Sequence, residues 1–208
     1  MRILIADDHA IVRRGLVEIL LEAFPSAFIE EVGDADTLFE KTTGGEWDVI
    51  ISDLMMPGRS ALEALQQIKQ YSPRIPVLIL SMHPEEQYAT RVLKAGASGY
   101  INKDVAPKEL VNAVQRIMQG RKYITPSVAE KLANDLDSNT DKDPHESLSD
   151  REFDVMKQLA AGKSVSDIAA LLSLSPNTIS TYRGRIMEKM NMKTNAELTR
   201  YALENGLI

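Results

Sequence analysis

Five short runs, RILIA, FIEEVGD, DVIIS, PVLILS and SGYIN, recur through the first part of the chain, bounded by Gly, Pro or Asp. They are rich in β-branched and apolar residues, as strands are. Three are almost continuously apolar, the pattern of strands covered on both faces of a parallel sheet. Each is followed by a segment of helical spacing: IVRRGLVEILLEA, ADTLFEKTT, SALEALQQIKQYS, PEEQYATRVLKAG and PKELVNAVQRIMQG. In the last, Leu110, Val114, Ile117 and Met118 share one face. Ser60 and Glu63 have the spacing of a capping box, marking a helix start. Five βα units in succession predict an α/β fold, a doubly wound five-stranded parallel sheet of the flavodoxin-like type, ending near Arg121.

The pattern then changes. TPSVAEKLANDL reads as a helix near 126–136 with Pro126 in its first turn, and DSNTDKDPHES (137–147) lacks any hydrophobic residue. A linker over 122–147 therefore separates a domain at 1–121 from one at 148–208. The latter is all helix, with capping boxes at Ser149/Glu152 and Thr194/Glu197, an N-cap at Ser175 before Pro176, and stops at Gly162 and Gly206. From Leu148 onward eight Lys/Arg face seven Asp/Glu, whereas sixteen face twenty-three before it. The chain's net charge of −6 thus argues against a nonspecific nucleic-acid coat while leaving room for a local basic surface. There is no cysteine, hence no disulfide or thiolate metal site. No apolar run approaches the roughly 18–20 residues that cross a bilayer, and MRILIADDHA lacks a signal-peptide core, so a cytoplasmic location without membrane attachment is expected.

In LIADDH, two adjacent carboxylates end the first apolar run, and Asp53 ends DVIISD. Alone, each fits a turn or an N-cap. In an open parallel sheet, ligands bind beyond the carboxyl ends of strands at a topological switch point. If these strands are neighbours, Asp7, Asp8 and Asp53 converge on one pocket, and their repulsion calls for a divalent, oxygen-seeking cation such as Mg²⁺. Ser81 ends PVLILS and Lys103 follows GYIN, adding a hydroxyl and an ammonium at the same sheet edge. Metal, carboxylate, hydroxyl and ammonium together suit a phosphoryl group.

The segments ILIADDH, DVIISDLMMPG, VLILSMH and KAGASGYINKD resemble a bacterial response-regulator receiver domain across 1–121. With its helical tail, the whole chain resembles the DNA-binding response regulators of the NarL/FixJ family. The resemblance implies Asp53 as phosphoacceptor, Asp8 as a direct Mg²⁺ ligand, Asp7 acting mostly through water, and the Met55 carbonyl as a further ligand. It implies Lys103 pairing with the phosphoryl group, Ser81 and Tyr100 as switch residues, and His83 beside the hydrolytic water. A sensor histidine kinase would be the donor. Two departures, Arg59 and Ala61, follow the phosphoacceptor loop. Such a receiver promotes its own modification without turning over an external substrate, and so is not an enzyme. An aspartyl-nucleophile phosphatase would need a general acid two residues past Asp53, where Met55 stands. The other rival is a regulator whose acid pocket is vestigial.

SVSDIAALLSLSPNTISTYRGRIMEKM reads helix, turn, helix, with Ile168, Ala169, Leu171 and Leu172 apolar on the first helix. On the second, Ile179, Ile186 and Met190 can face inward beneath a polar side. The string LSDREFDVMKQLAAG through LTRYAL resembles a LuxR-type DNA-binding domain. By that resemblance Ser180, Thr181 and Gly184 lie nearest base edges, and Asn177, Thr178, Tyr182, Arg183, Arg185 and Lys189 approach phosphates. A homodimer on promoter DNA is implied, with a contact on the last helix and RNA polymerase as a further partner.

Overall fold

β1 (Arg2–Ala6), β2 (Phe28–Val32), β3 (Val49–Asp53), β4 (Val77–Ser81) and β5 (Gly99–Asn102) pair in parallel in the order β2-β1-β3-β4-β5. The computed structural model describes residues 1–56, 61–137 and 143–208. Ser60 of the expected capping box and Arg59 lie outside the described residues, as does 138–142 of the expected linker. Two compact units, Met1–Ser138 and Asn139–Ile208, divide the chain.

Alternation sends Ile3, Ile5, Val49, Ile51, Leu78, Leu80 and Ile101 to one face of the sheet. There they meet Leu16 and Leu20 of α1 (Ala10–Ala23) and Leu110, Val114 and Ile117 of α5 (Ala106–Met118). The opposite face is left to α2 (Ala35–Gly44), α3 (Ala61–Tyr71) and α4 (Glu85–Lys94), which bury Leu38, Leu65, Ile68, Tyr88 and Val92. Because both faces are covered, β1, β3 and β4 can be apolar almost throughout. Met118, expected on the buried stripe of α5, is 42% exposed; Ala113 fills that stripe instead. Met118 is the last residue of its helix, beyond the sheet's cover.

The segment from 122 belongs to the first unit rather than forming part of a free linker. Tyr123 bridges to Gly99 alongside β5, its N–H donating to the Ser98 carbonyl at 2.9 Å. A Cβ on Gly99 would come within 2.9 Å of Tyr123, so this close approach requires glycine. α6 (Pro126–Asp137) then packs on α4. Thr125 and Ser127 both donate to Glu85 Oε1 at 2.8 Å, and Lys131 Nζ donates to the Glu86 carbonyl at 2.8 Å.

In the second unit, α7 (Asp150–Ala160), α8 (Val165–Leu171), α9 (Pro176–Lys189) and α10 (Asn195–Glu204) enclose Phe153, Met156, Ile168, Ile179, Ile186 and Leu198. A short 3₁₀ turn, Pro144–Ser147, precedes them, and its His145 Nδ1 lies 2.7 Å from the Tyr201 hydroxyl. The expected capping boxes at Ser149 and Thr194 form, and a third at Ser164/Asp167 adds to them. Gly162 and Gly206 stand just past helix ends in the left-handed region. Leu171, grouped with the apolar residues of α8, is 55% exposed, while Ile168, Ala169 and Leu172 face the core. Among the described residues, no helix is long and apolar enough to cross a membrane.

One ion pair ties this unit together. Glu152 accepts the Ser149 N–H at 2.8 Å and Lys189 Nζ at 2.6 Å. Burial pushes the Glu152 carboxyl up, but the Lys189 and Ser149 bonds outweigh it and hold the pKa below its usual value. Its stabilisation is therefore present above about pH 4.5 and fades as pH falls through the lowered value. Glu152→Gln should cost the second unit about 1–2 kcal/mol near neutrality, Lys189 being partly solvated. Calorimetry of the full chain should show the difference from wild type shrinking in acid.

Candidate functional site

Register builds the site. β1 and β3 are neighbours with Ala6 opposite Ser52, so the next residues, Asp7 and Asp53, emerge side by side at their carboxyl ends. β1 pairs with β2 on one side and β3 on the other, which makes this gap the switch point of the sheet. Asp7 is wholly buried and Asp53 nearly so. Asp8 is more exposed. Lys103, two strands away, reaches across: its Nζ lies 2.6 Å from Asp7 Oδ2 and 2.7 Å from Asp53 Oδ2.

The electrostatics follow from this burial. Desolvation raises the Asp53 pKa above the ordinary carboxylate value; Lys103 opposes that rise and the charge of Asp7 adds to it. Burial would lower Lys103, but the two carboxylates hold its pKa above normal. One ammonium thus serves two buried carboxylates, with Asp8 alongside. Asp7, Asp8, His9 and Asp53 each offer a ligand atom, all within 4.8 Å of one another. This excess of negative oxygen suits a hard divalent cation. His9 did not stand out in the sequence, although it completes the run Asp7-Asp8-His9; its Nδ1 lies 2.7 Å from Asp8 Oδ1. Met55 follows the strand and donates its N–H to Asp53 Oδ1 at 3.2 Å.

Ser81 ends β4, fully buried, and accepts the His83 N–H at 3.1 Å. The Lys103 N–H donates to the Ser81 carbonyl at 2.8 Å, fixing one to the other through β4 and β5. Tyr100 is 3% exposed and donates its hydroxyl to the His83 carbonyl at 2.7 Å. Its phenol is raised by burial and so remains a donor. The His83 ring stacks on Tyr88 of α4 with centroids 4.9 Å apart. Asp7, Asp8, Asp53, Met55, Ser81, His83 and Lys103 therefore lie at or just past the carboxyl ends of β1, β3, β4 and β5, while Tyr100, the second residue of β5, reaches them through its hydroxyl.

On α9, Ile179, Ile186 and Met190 are buried as expected. Asn177, Ser180, Thr181, Gly184 and Arg185 are exposed at spacings of three and four, which makes one continuous stripe. A Cβ on Gly184 would meet nothing within 4 Å, so the middle of the stripe is open. Thr178 is tied to the N-cap through the Ser175 hydroxyl at 2.8 Å, and Tyr182 is half-buried. Arg183 donates through Nε to Asn195 Oδ1 at 2.9 Å, and the Lys189 ammonium is taken by Glu152. Arg185 is the cation left on the open stripe.

Comparison with known proteins gives both halves a context. Residues 3–115 match the model for response regulator receiver domains, and residues 146–202 match that for bacterial regulatory proteins of the luxR family. The response regulator UvrY of Escherichia coli K12 is 32% identical over 208 residues, covering 100% of this chain and 95% of that protein. The oxygen regulatory protein NreC of Staphylococcus carnosus is 36% identical over 215 residues, covering 100% and 99%. Among solved structures, RcsB of Salmonella enterica serovar Typhimurium bound to promoter rprA with phosphomimetic BeF₃⁻ aligns with a TM-score of 0.63 at 27% identity. That alignment covers 97% of this chain and 98% of RcsB. With both domains matched in order and relatives aligned end to end, the chain belongs to the NarL/FixJ-type response regulators of two-component systems, a receiver domain followed by a LuxR-family helix–turn–helix domain.

Proposed function

We propose that Asp53 accepts a phosphoryl group from a sensor histidine kinase and that the resulting change in the receiver controls binding of a dimer to promoter DNA. The observation that carries this reading is the Lys103 ammonium lying within 2.7 Å of Asp53 at the sheet's switch point. The Asp53 carboxylate would attack phosphorus; an O–P bond forms, the N–P bond to the donor imidazole breaks, and the released nitrogen takes a proton from water. Asp7, Asp8 and Asp53, with the Met55 carbonyl, would hold Mg²⁺, which when bound supplies positive charge for the phosphoryl oxygens. Lys103 would move its bond from Asp53 to a phosphoryl oxygen without leaving Asp7. The reaction is stoichiometric self-modification, and slow hydrolysis of the acyl phosphate resets it in the cytoplasm.

A contiguous path supports the consequence. A phosphoryl group beside Ser81 adds an acceptor, drawing its hydroxyl away from the His83 N–H. His83 also receives the Tyr100 hydroxyl and stacks on Tyr88, so a shift at 83 loads both β5 and α4. The first turn of α4 holds α6 through Glu85, so phosphorylation would shift the population away from this seating of α6 on α4. In the second unit, the open stripe of α9 would enter a major groove, with Arg185 on phosphate and Ser180, Thr181 and Gly184 near base edges. One small domain buries little DNA surface, which favours a dimer reading two half-sites and, on a promoter, contact with RNA polymerase.

With Mg²⁺ and phosphoramidate, mass spectrometry should find one added phosphoryl group, absent from Asp53→Asn; full labelling of that variant would remove Asp53 from its role. Lys103→Met should slow labelling by roughly 10²-fold while leaving the fold intact. Arg185→Ala should weaken binding to every DNA sequence and reduce the salt slope by about one counterion. An unchanged slope in fluorescence anisotropy titrations would turn the stripe away from DNA.

A further inference from the structure

The amino ends of β4 and β5, at the far side of the sheet from the carboxylates, open on a second pocket. Lys69 at the end of α3, Pro73, Arg74 and Pro76 before β4, Gly96 and Ser98 before β5, and Arg121 and Lys122 after α5 line it, enclosing about 380 Å³. Four cations and no carboxylate surround it, in a chain where acids outnumber bases by 30 to 24. We propose that this pocket is an anion-binding site for a small ligand carrying two or more phosphoryl groups.

The lysines are held in place. Lys69 Nζ donates to the Ile75 carbonyl at 2.5 Å, and Lys122 Nζ donates to the Ala97 carbonyl. Each bond uses one of an ammonium's three donors. Gly96 makes room for the Lys69 stem: its φ is +109°, and a Cβ there would stand 3.0 Å from Lys69 Cγ. Burial and the neighbouring Lys122 charge push Lys69 down to about 8, the mark of a cation lacking counter-charge. Among the described residues, none of the four cations has a carboxylate partner. Holding a loop carbonyl accounts for one bond from each lysine.

The ligand class follows from the lining. Arginine guanidiniums take phosphate oxygens in pairs and lysines add point charges, so two of each offer more positive charge than one orthophosphate uses. The volume falls at the lower end of small-ligand pockets, roughly 300–1,000 Å³, which admits a diphosphate or the phosphate chain of a nucleotide. Strands of five and four residues, β4 and β5, separate it from the carboxylate cluster by roughly 15 Å, so occupancy does not require Asp53.

The test uses the full chain with EDTA at physiological salt, titrated calorimetrically with pyrophosphate and with ATP. One saturable equivalent is expected from at least one probe, and tighter binding of ATP would assign a nucleotide to the site. Arg74→Ala combined with Arg121→Ala touches two exposed side chains and should weaken binding roughly tenfold or more. Lys69→Gln should weaken it independently, whereas Asp53→Asn should leave it unchanged. Amide NMR signals of Gly96, Ser98 and Gly120 should move on titration. Absence of saturable binding, an affinity indifferent to the arginine pair, or shifts confined to α9 would each overturn the site.

Discussion

A single ammonium shared by two strand ends is the interaction on which the first unit's chemistry depends. Asp7 and Asp53 are adjacent only because β1 and β3 pair in one particular register. At an effective dielectric near 20, two such charges about 4 Å apart repel by roughly 4 kcal/mol. Lys103 offsets that repulsion from β5, two positions along the sheet, and so makes the site sensitive to the packing of three strands at once. The carboxylates remain in excess over the ammonium, and the pocket keeps an affinity for further positive charge. A slip of one residue anywhere in this register would turn Asp53 toward the helices and dissolve the arrangement.

The helical unit is organised by other means. Its helices are short and begin at side-chain caps, so local signals fix where each starts before packing decides how they meet. Glu152 joins both levels: it closes the cap of α7 and anchors the end of α9 through Lys189. The polar stripe of α9 is consequently presented by a helix fixed at both ends, by Ser175 at one and Glu152 at the other.

Much of this was legible in the residues. The apolar runs read as strands because both of their faces are covered, and the caps of α7 and α10 because Ser or Thr and Glu fall three apart. The carboxylate site was readable once strand ends were considered together. What escaped has physical reasons. His9 joins the cluster through the orientation of Asp8, which no spacing encodes. The docking of α6 uses two hydroxyls on the Glu85 carboxylate and a lysine on one backbone carbonyl, which carry no periodicity. Lys189 looks like one more cation on a polar face until Glu152, thirty-seven residues earlier, is found beside it. The basic pocket draws on four separate segments, none unusual alone.

Gly99 and Tyr123 carry one more implication. An outermost strand leaves a row of unsatisfied amide groups that invites pairing with another molecule. Here the polypeptide doubles back and lays its own backbone beside the start of β5, closing part of that margin from within. A receiver cut after Arg121 would keep every residue of its carboxylate site and lose this guard, trading a self-protected border for an adhesive one. Solubility of the isolated half is thus written in residues that take no part in its chemistry.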